Sequence, residues 1–149
     1  MLKLKFLKQT QITELNTPPE PLWNMSFDGS CRKDGSGAGI WVVNTRSNHV
    51  ECHSYRLNFQ CTNNIAKYKA LILGLQLLKK LGAKRIPIQG DVELIIKQIE
   101  GEYSTKHPRM RAYKIVMLDF LETFLEYDLF VIPRKQNIIP YNLAFSASS

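Results

Sequence analysis

The sequence predicts one α/β domain, and three observations carry that prediction. Early in the chain apolar and polar residues alternate with period 2, at Thr62 the period becomes helical, and from Arg85 onward short strands and helices take turns. At 149 residues there is room for one well-filled core and not for two.

Residues 1–21 read as a basic, proline-rich lead-in. Met1-Leu-Lys-Leu-Lys-Phe-Leu-Lys8 alternates basic and apolar residues, and Thr17-Pro-Pro-Glu-Pro21 cannot join a sheet interior. The domain is therefore expected over residues 22–149. Trp23, Met25 and Phe27 alternate with Asn24, Ser26 and Asp28 as a first strand. Asp34-Gly-Ser-Gly-Ala-Gly39 offers glycines for a hairpin, and Ile40–Val43 and Val50–Phe59 follow as two more strands joined by Thr45-Arg-Ser-Asn48. Ile65, Tyr68, Leu71, Ile72, Leu75 and Leu78 then recur at helical spacing, with Asn63 or Asn64 as the cap and Gly82 as the stop. Arg85–Gln89 is a fourth strand leading into Asp91, and a helix from about Val92 to Ile99 ends at Gly101. After a basic loop, Pro108 opens a long helix through about Glu126 with Met110, Tyr113, Met117, Phe120 and Phe124 inward. Leu129–Ile132 is the last strand, and a short terminal helix starts after Gln136 with Asn137 as its cap.

The formal charge of +7 favours polyanions or acidic protein surfaces as partners. Three cysteines, Cys31, Cys52 and Cys61, form no C-x-x-C pair and cannot close a framework of disulfides, which argues for a reducing compartment. No apolar run is long enough for a signal peptide core or a membrane span. The expectation is an intracellular protein, cytoplasmic or nuclear, with no membrane contact.

Asp28 and Asp91 each close a short apolar stretch and together flank the helix that begins near Thr62, a layout suited to holding divalent cations between elements. The motifs around them are S-F-D-G-S at 26–30, G-S-G-A-G-I at 35–40, T-N-N-I-A-x-Y-K-A-L-I-L-G-L at 62–75, G-D at 90–91 and P-R-K-Q-N at 133–137. This ordered set closely resembles the ribonuclease H type 1 family, in the branch found in plant retrotransposon polyproteins and their relatives, over roughly residues 22–146. The resemblance implies an RNase H-like fold: a mixed five-stranded sheet of order 3-2-1-4-5, strand 2 antiparallel, with helices on both faces. It also implies hydrolysis of the RNA strand of an RNA–DNA hybrid with two magnesium ions, held about 3.5 to 4 Å apart by convergent carboxylates.

Four acids belong to that pattern, and this chain retains two. The first falls on Asp28 and the third on Asp91, which are therefore the candidate metal ligands; the second falls on Lys67 and the fourth on Tyr141. Glu93 and Asp34 are the nearby acids that could substitute, although Glu93 lies on a helix face turned to solvent or substrate rather than to metal. With half the carboxylates gone, no resident cofactor is expected, and magnesium only alongside residual activity. The resemblance assigns hybrid or RNA contacts to Gly29, Ser30, Thr62, Asn63 and Asn64, through the minor groove and 2′-hydroxyls. Capping needs only one of the two asparagines.

Lys67 can be read without the family. It shares a helix face with Ala70, Leu71 and Gly74, at i+3, i+4 and i+7, so it points toward the sheet, and it sits in a first turn whose dipole disfavours a cation. A compensating carboxylate is expected, from Asp28 or Asp91; the alternative is a lysine that snorkels to water. Tyr141 is expected to cover the mouth of the site with its hydroxyl on a carboxylate. The sequence thus points to a catalytically impaired domain that keeps a nucleic-acid surface. The alternative is a domesticated protein-interaction module acting as inhibitor or regulator, with Leu118, Leu121 and Leu125 as an apolar line; an active nuclease ranks last. His107 reads as a loop residue beside basic positions Lys106 and Arg109.

Overall fold

In the computed structural model, the residues described are 2–7, 22–59, 62–90, 93, 97 and 108–148. Among them the chain runs β1 (Leu2–Leu7), β2 (Trp23–Arg32), β3 (Gly35–Asn44), β4 (Val50–Leu57), α1 (Asn63–Lys80), β5 (Arg85–Gly90), α2 (Pro108–Glu122), β6 (Glu126–Val131), a 3-10 turn (Arg134–Gln136) and α3 (Ile138–Ala147). Asp91, Cys61, the expected helix over 92–99 apart from Glu93 and Lys97, Gly101 and His107 lie outside the described residues.

One sheet of order β1-β6-β5-β2-β3-β4 organises the molecule. Strands β2 to β4 form the antiparallel meander, while β2, β5 and β6 run parallel. Leaving out β1, this is the expected five-stranded order 3-2-1-4-5, with β3 as the antiparallel second strand. The lead-in departs from the reading of residues 1–21: Leu2–Leu7 adds a sixth strand, antiparallel to β6, in register from Leu2↔Val131 to Leu7↔Glu126. Its alternation of lysines and apolar residues is itself a period-2 signal.

Face parity follows from the β2–β3 register. Phe27 pairs with Ile40 and Met25 with Val42, and all four lie buried beneath α1 with Leu71, Leu75 and Leu78. Gly74 lets the helix settle there, since a Cβ on it would stand 2.3 Å from Met25 Sδ. α1 is capped by Thr62, whose Oγ1 accepts from the Ile65 N–H at 3.2 Å, not by Asn63 or Asn64 as expected. The helix ends as read: Gly82 takes φ +78°, and Lys79 and Lys80 complement the dipole of the last turn.

The glycines of 35–39 do something different from the hairpin role expected of them. The β2–β3 turn is confined to Lys33 and Asp34, and Gly35, Gly37 and Gly39 all belong to β3. At alternate positions they clear one face of the strand, and α3 lies directly on it. A Cβ on Gly39 would stand 2.1 Å from Pro140 O, and one on Gly37 2.2 Å from Ala144 O. Period-2 glycine here makes a track for a helix.

Two further differences concern the last third of the chain. α2 stops at Glu122 rather than near Glu126, because Thr123 turns back with its Oγ1 donating to Phe120 O at 2.6 Å, and β6 starts correspondingly early. The line Leu118, Leu121 and Leu125 is not an exposed patch: Leu121 is fully buried and the other two are half-buried. Asn137 flanks α3 but makes no side-chain cap.

Candidate active site

β2 carries Asp28 to the place where the sheet divides. Met25 and Ser26 pair with β5, at Ile88 and Gln89, and past Ser26 no described residue of β5 continues that pairing. Asp28 lies just beyond, 2% exposed, with one carboxylate oxygen accepting from the Gly29 N–H at 2.9 Å. The next residue admits α1: a Cβ on Gly29 would stand 2.2 Å from the Ala66 carbonyl carbon and 2.3 Å from Lys67 N. Glycine at 29 therefore brings the first turn of α1 against the end of β2.

That approach delivers Lys67. Its Nζ lies 3.5 Å from Asp28 Oδ1, with side chains 13% and 3% exposed, so the lysine points into the molecule and does not snorkel to water. α1 has no acid in its first turn. The pair offsets both the dipole penalty on Lys67 and the desolvation of Asp28.

α3 closes the other side. Asp28 pairs with Gly39, on which Pro140 rests, so the carboxylate shares the face that α3 covers. Asn137, read from sequence only as a cap, is the residue that fastens this helix: it is 1% exposed and its Nδ2 donates to Phe27 O at 2.9 Å, beside Asp28. Its Oδ1 is buried with no hydrogen-bond partner among the described residues. The only sequence signal for this role is position, one turn before Tyr141.

Tyr141 does not make the contact expected of it. Its ring stacks on Phe145 at 6.1 Å and receives Arg134 at 5.5 Å, and no hydrogen bond joins its hydroxyl to Asp28. A helical tyrosine four residues before a phenylalanine finds its partner on its own face sooner than across the strand.

Of the remaining candidates, Ser30 is half-buried beside Gly29, and Asn63 Oδ1 accepts from the Cys31 N–H at 2.9 Å, tying α1 to β2. Thr62 and Asn63 are thus both engaged in structure. Asn64, half-buried, is left as the polar residue of that triplet whose side chain binds no other part of the chain among the described residues. Glu93 is exposed and pairs with Lys97 at 2.8 Å, in keeping with an outward helix face. Asp34 is exposed at the β2–β3 turn. Asp91 lies outside the described residues, and among those described no three or more of His, Cys, Asp and Glu converge. Far from Asp28, on edge strand β4, Glu51 is held below the usual carboxylate range by hydrogen bonds from His53 and His49, each at 2.9 Å.

Comparison with known proteins agrees with this geometry. The family model described as reverse transcriptase-like matches residues 26–147. Ribonuclease HI of Halobacterium salinarum is 29% identical over 112 residues, 74% of this chain and 56% of that protein. The chain thus spans little more than half the length of this curated relative. Among solved structures, the N-terminal ribonuclease H domain of a Mycobacterium tuberculosis protein superposes with a TM-score of 0.78 at 26% identity, covering 86% of this chain and 99% of that one. A ribonuclease H1 in complex with an RNA/DNA hybrid superposes with a TM-score of 0.73 at 25% identity, covering 83% and 94%. From its motifs, its sheet order and these matches, the chain belongs to the reverse transcriptase-like family and is an RNase H-like domain, homologous to ribonuclease H1.

Proposed function

We propose that this is an RNase H-like domain of retroelement descent, impaired as a nuclease, that keeps a surface for RNA–DNA hybrid or RNA. The observation that carries the reading is the Lys67 ammonium 3.5 Å from the buried Asp28 carboxylate. Magnesium, which the fold family implies, does not fit the donors described. Hard divalent cations need several anionic oxygens, and four carboxylates would balance two such ions, whereas Asp28 and Lys67 cancel and Asp91 adds only one negative charge. Tyr141 brings an aromatic ring where the fourth acid belongs.

Support for the binding half comes from the positive net charge, from Asn64 at the start of α1 and from the relative solved on a hybrid. The competing reading, a protein-interaction module, keeps the positive charge but not the apolar line offered for it, since Leu121 is buried and Leu118 and Leu125 are half-buried.

The test is a cleavage assay on an RNA–DNA hybrid with magnesium and with manganese. The chain should turn over far more slowly than about 1 per second, the low end of ordinary enzymes. Lys67→Glu/Tyr141→Asp should gain metal-dependent cleavage. Ordinary turnover by the unaltered chain, abolished in Asp28→Asn, would overturn the proposal.

A further inference from the structure

α3 lays Pro140, Leu143 and Ala144 toward the sheet and turns other large apolar residues away from it. Pro140 and Ala144 are buried over the β3 glycines, whereas Ile138, Tyr141 and Phe145, at i, i+3 and i+7, share the opposite side. Ile138 is 48% exposed and Phe145 44%, so this stripe is not core. An arginine stands at each end of its aromatic part. Arg134 Cζ lies 5.5 Å from the centroid of the Tyr141 ring, Tyr141 and Phe145 stack at 6.1 Å and 25°, and Arg32 Cζ lies 4.3 Å from the Phe145 centroid. The helix itself contains no acidic residue.

The series arginine, tyrosine, phenylalanine, arginine selects its ligand by chemistry. Two guanidinium groups favour an anion with regularly spaced charges, and two half-exposed rings favour flat apolar faces between those charges. Unpaired nucleotides have both. A duplex offers the charges but hides its base faces in the stack, and an acidic peptide lacks the planar groups.

We infer that the outer face of α3 is a stacking platform for single-stranded nucleic acid, with Tyr141 and Phe145 receiving bases and Arg134 and Arg32 receiving the phosphates beside them. Base–aromatic stacking of this kind is indifferent to sequence, because every base has a π face. The path continues past Arg32, which also lines a cavity of about 680 Å³ with Lys33, Asp34, Arg56 and Phe59, the last with Arg109 Cζ 4.7 Å from its ring, so a strand leaving Phe145 meets more cations than acids. This goes beyond hybrid binding, since it uses neither Asp28 nor a duplex groove. It also gives Tyr141 a use that its failure to reach Asp28 leaves open.

The test is fluorescence anisotropy of the full chain with labelled oligo(dT) and oligo(U) of roughly 15 nucleotides, within the site sizes such surfaces occupy, beside DNA duplex and RNA–DNA hybrid of the same length. Both single strands should bind more tightly than the DNA duplex. Phe145→Leu keeps apolar bulk and loses the ring; it should weaken single-strand binding about fivefold or more, the low end of a stacking contribution, without changing the salt slope. Arg32→Gln/Arg134→Gln should instead make the plot of log affinity against log salt shallower by up to about 1.4, two phosphates' worth for single strands. Equal affinity for dT and U would mean that stacking alone is read, and a preference for U would add a 2′-hydroxyl contact; either supports the platform. Single strands binding no better than duplex, Phe145→Leu at parental affinity with a parental thermal melt, or a flat salt dependence would overturn it, the last pointing to a protein occupant. The hybrid arm reports separately on the proposed function.

Discussion

Lys67 holds its ammonium 3.5 Å from the Asp28 carboxylate with both side chains largely withdrawn from water, so each charge depends on the other. The lysine's place on the face with Ala70, Leu71 and Gly74 favoured an inward side chain over one that snorkels, its place in the first turn favoured an anion beside it, and Asp28 supplies one. Helical spacing is a local property, so it was legible. The Tyr141 stack on Phe145, at i+4, is equally local, but the resemblance pointed the ring at Asp28 instead, and the approach of Arg134 from the preceding turn carries no such spacing. Asn137 is a third case: its bond to Phe27 O joins residues 110 positions apart, and no local pattern marks such a bond. The Lys67 pair predicts its own stability effect. Lys67→Ala leaves the Asp28 carboxylate buried with less compensation and should cost about 1 to 3 kcal/mol, toward the low side because 3.5 Å is long for a charge-assisted bond. Urea denaturation would measure it at unchanged slope. A loss under about 0.5 kcal/mol, the ordinary range of surface substitutions, would mean the pair holds nothing.

Among the elements, α1 and the β meander were legible because each repeats its pattern over many residues, whereas the role of the β3 glycines was not. Glycine in a sequence signals either a backbone turn or an absent side chain, and G-S-G-A-G between two strands favours the first reading. The structure uses the second: alternate glycines leave a flat face, and α3 approaches until its carbonyl oxygens occupy the places of the missing Cβ atoms. The burial of Pro140 and Ala144, the seating of α3 against the Asp28 face and the outward turn of Tyr141 and Phe145 all depend on that contact. Gly39→Ala should therefore push the first turn of α3 outward. The Cβ would meet backbone at 2.1 Å, which cannot rotate away, so the cost is of the overpacking kind, about 1 to 3 kcal/mol. Hydrogen exchange should show α3 amides opening more readily while those of α1 keep their protection. Equal protection of both helices in the variant would refute the track.

At the scale of the whole molecule, the described residues form the five-stranded family sheet with one strand added at the edge farthest from α3. Sheet order was legible only through the resemblance, since pairing between distant segments leaves no periodic trace, and the edge strand was missed because its proline-rich continuation suggested a lead-in. The family model begins at residue 26, β1 pairs only with β6 among the described residues, and the core is drawn from β2 to β6 with the helices, so the domain should fold without the first 21 residues. Magnitudes favour a small effect. A six-residue ladder contributes about 0.5 to 1.5 kcal/mol per net hydrogen bond, and ordering its backbone costs about 1 to 2 kcal/mol per residue, so the two nearly cancel before side chains are considered. A chain starting at Leu22 should melt cooperatively, no more than roughly 8 °C below the full chain, about 2 kcal/mol at this size. Within Glu126–Val131, alternate amides should lose exchange protection, those that faced β1, while those bonded to β5 keep it. A truncated chain that is unfolded, or whose β6 amides are all as protected as before, would show that Leu2–Leu7 either belongs to the folding unit or does not pair with it.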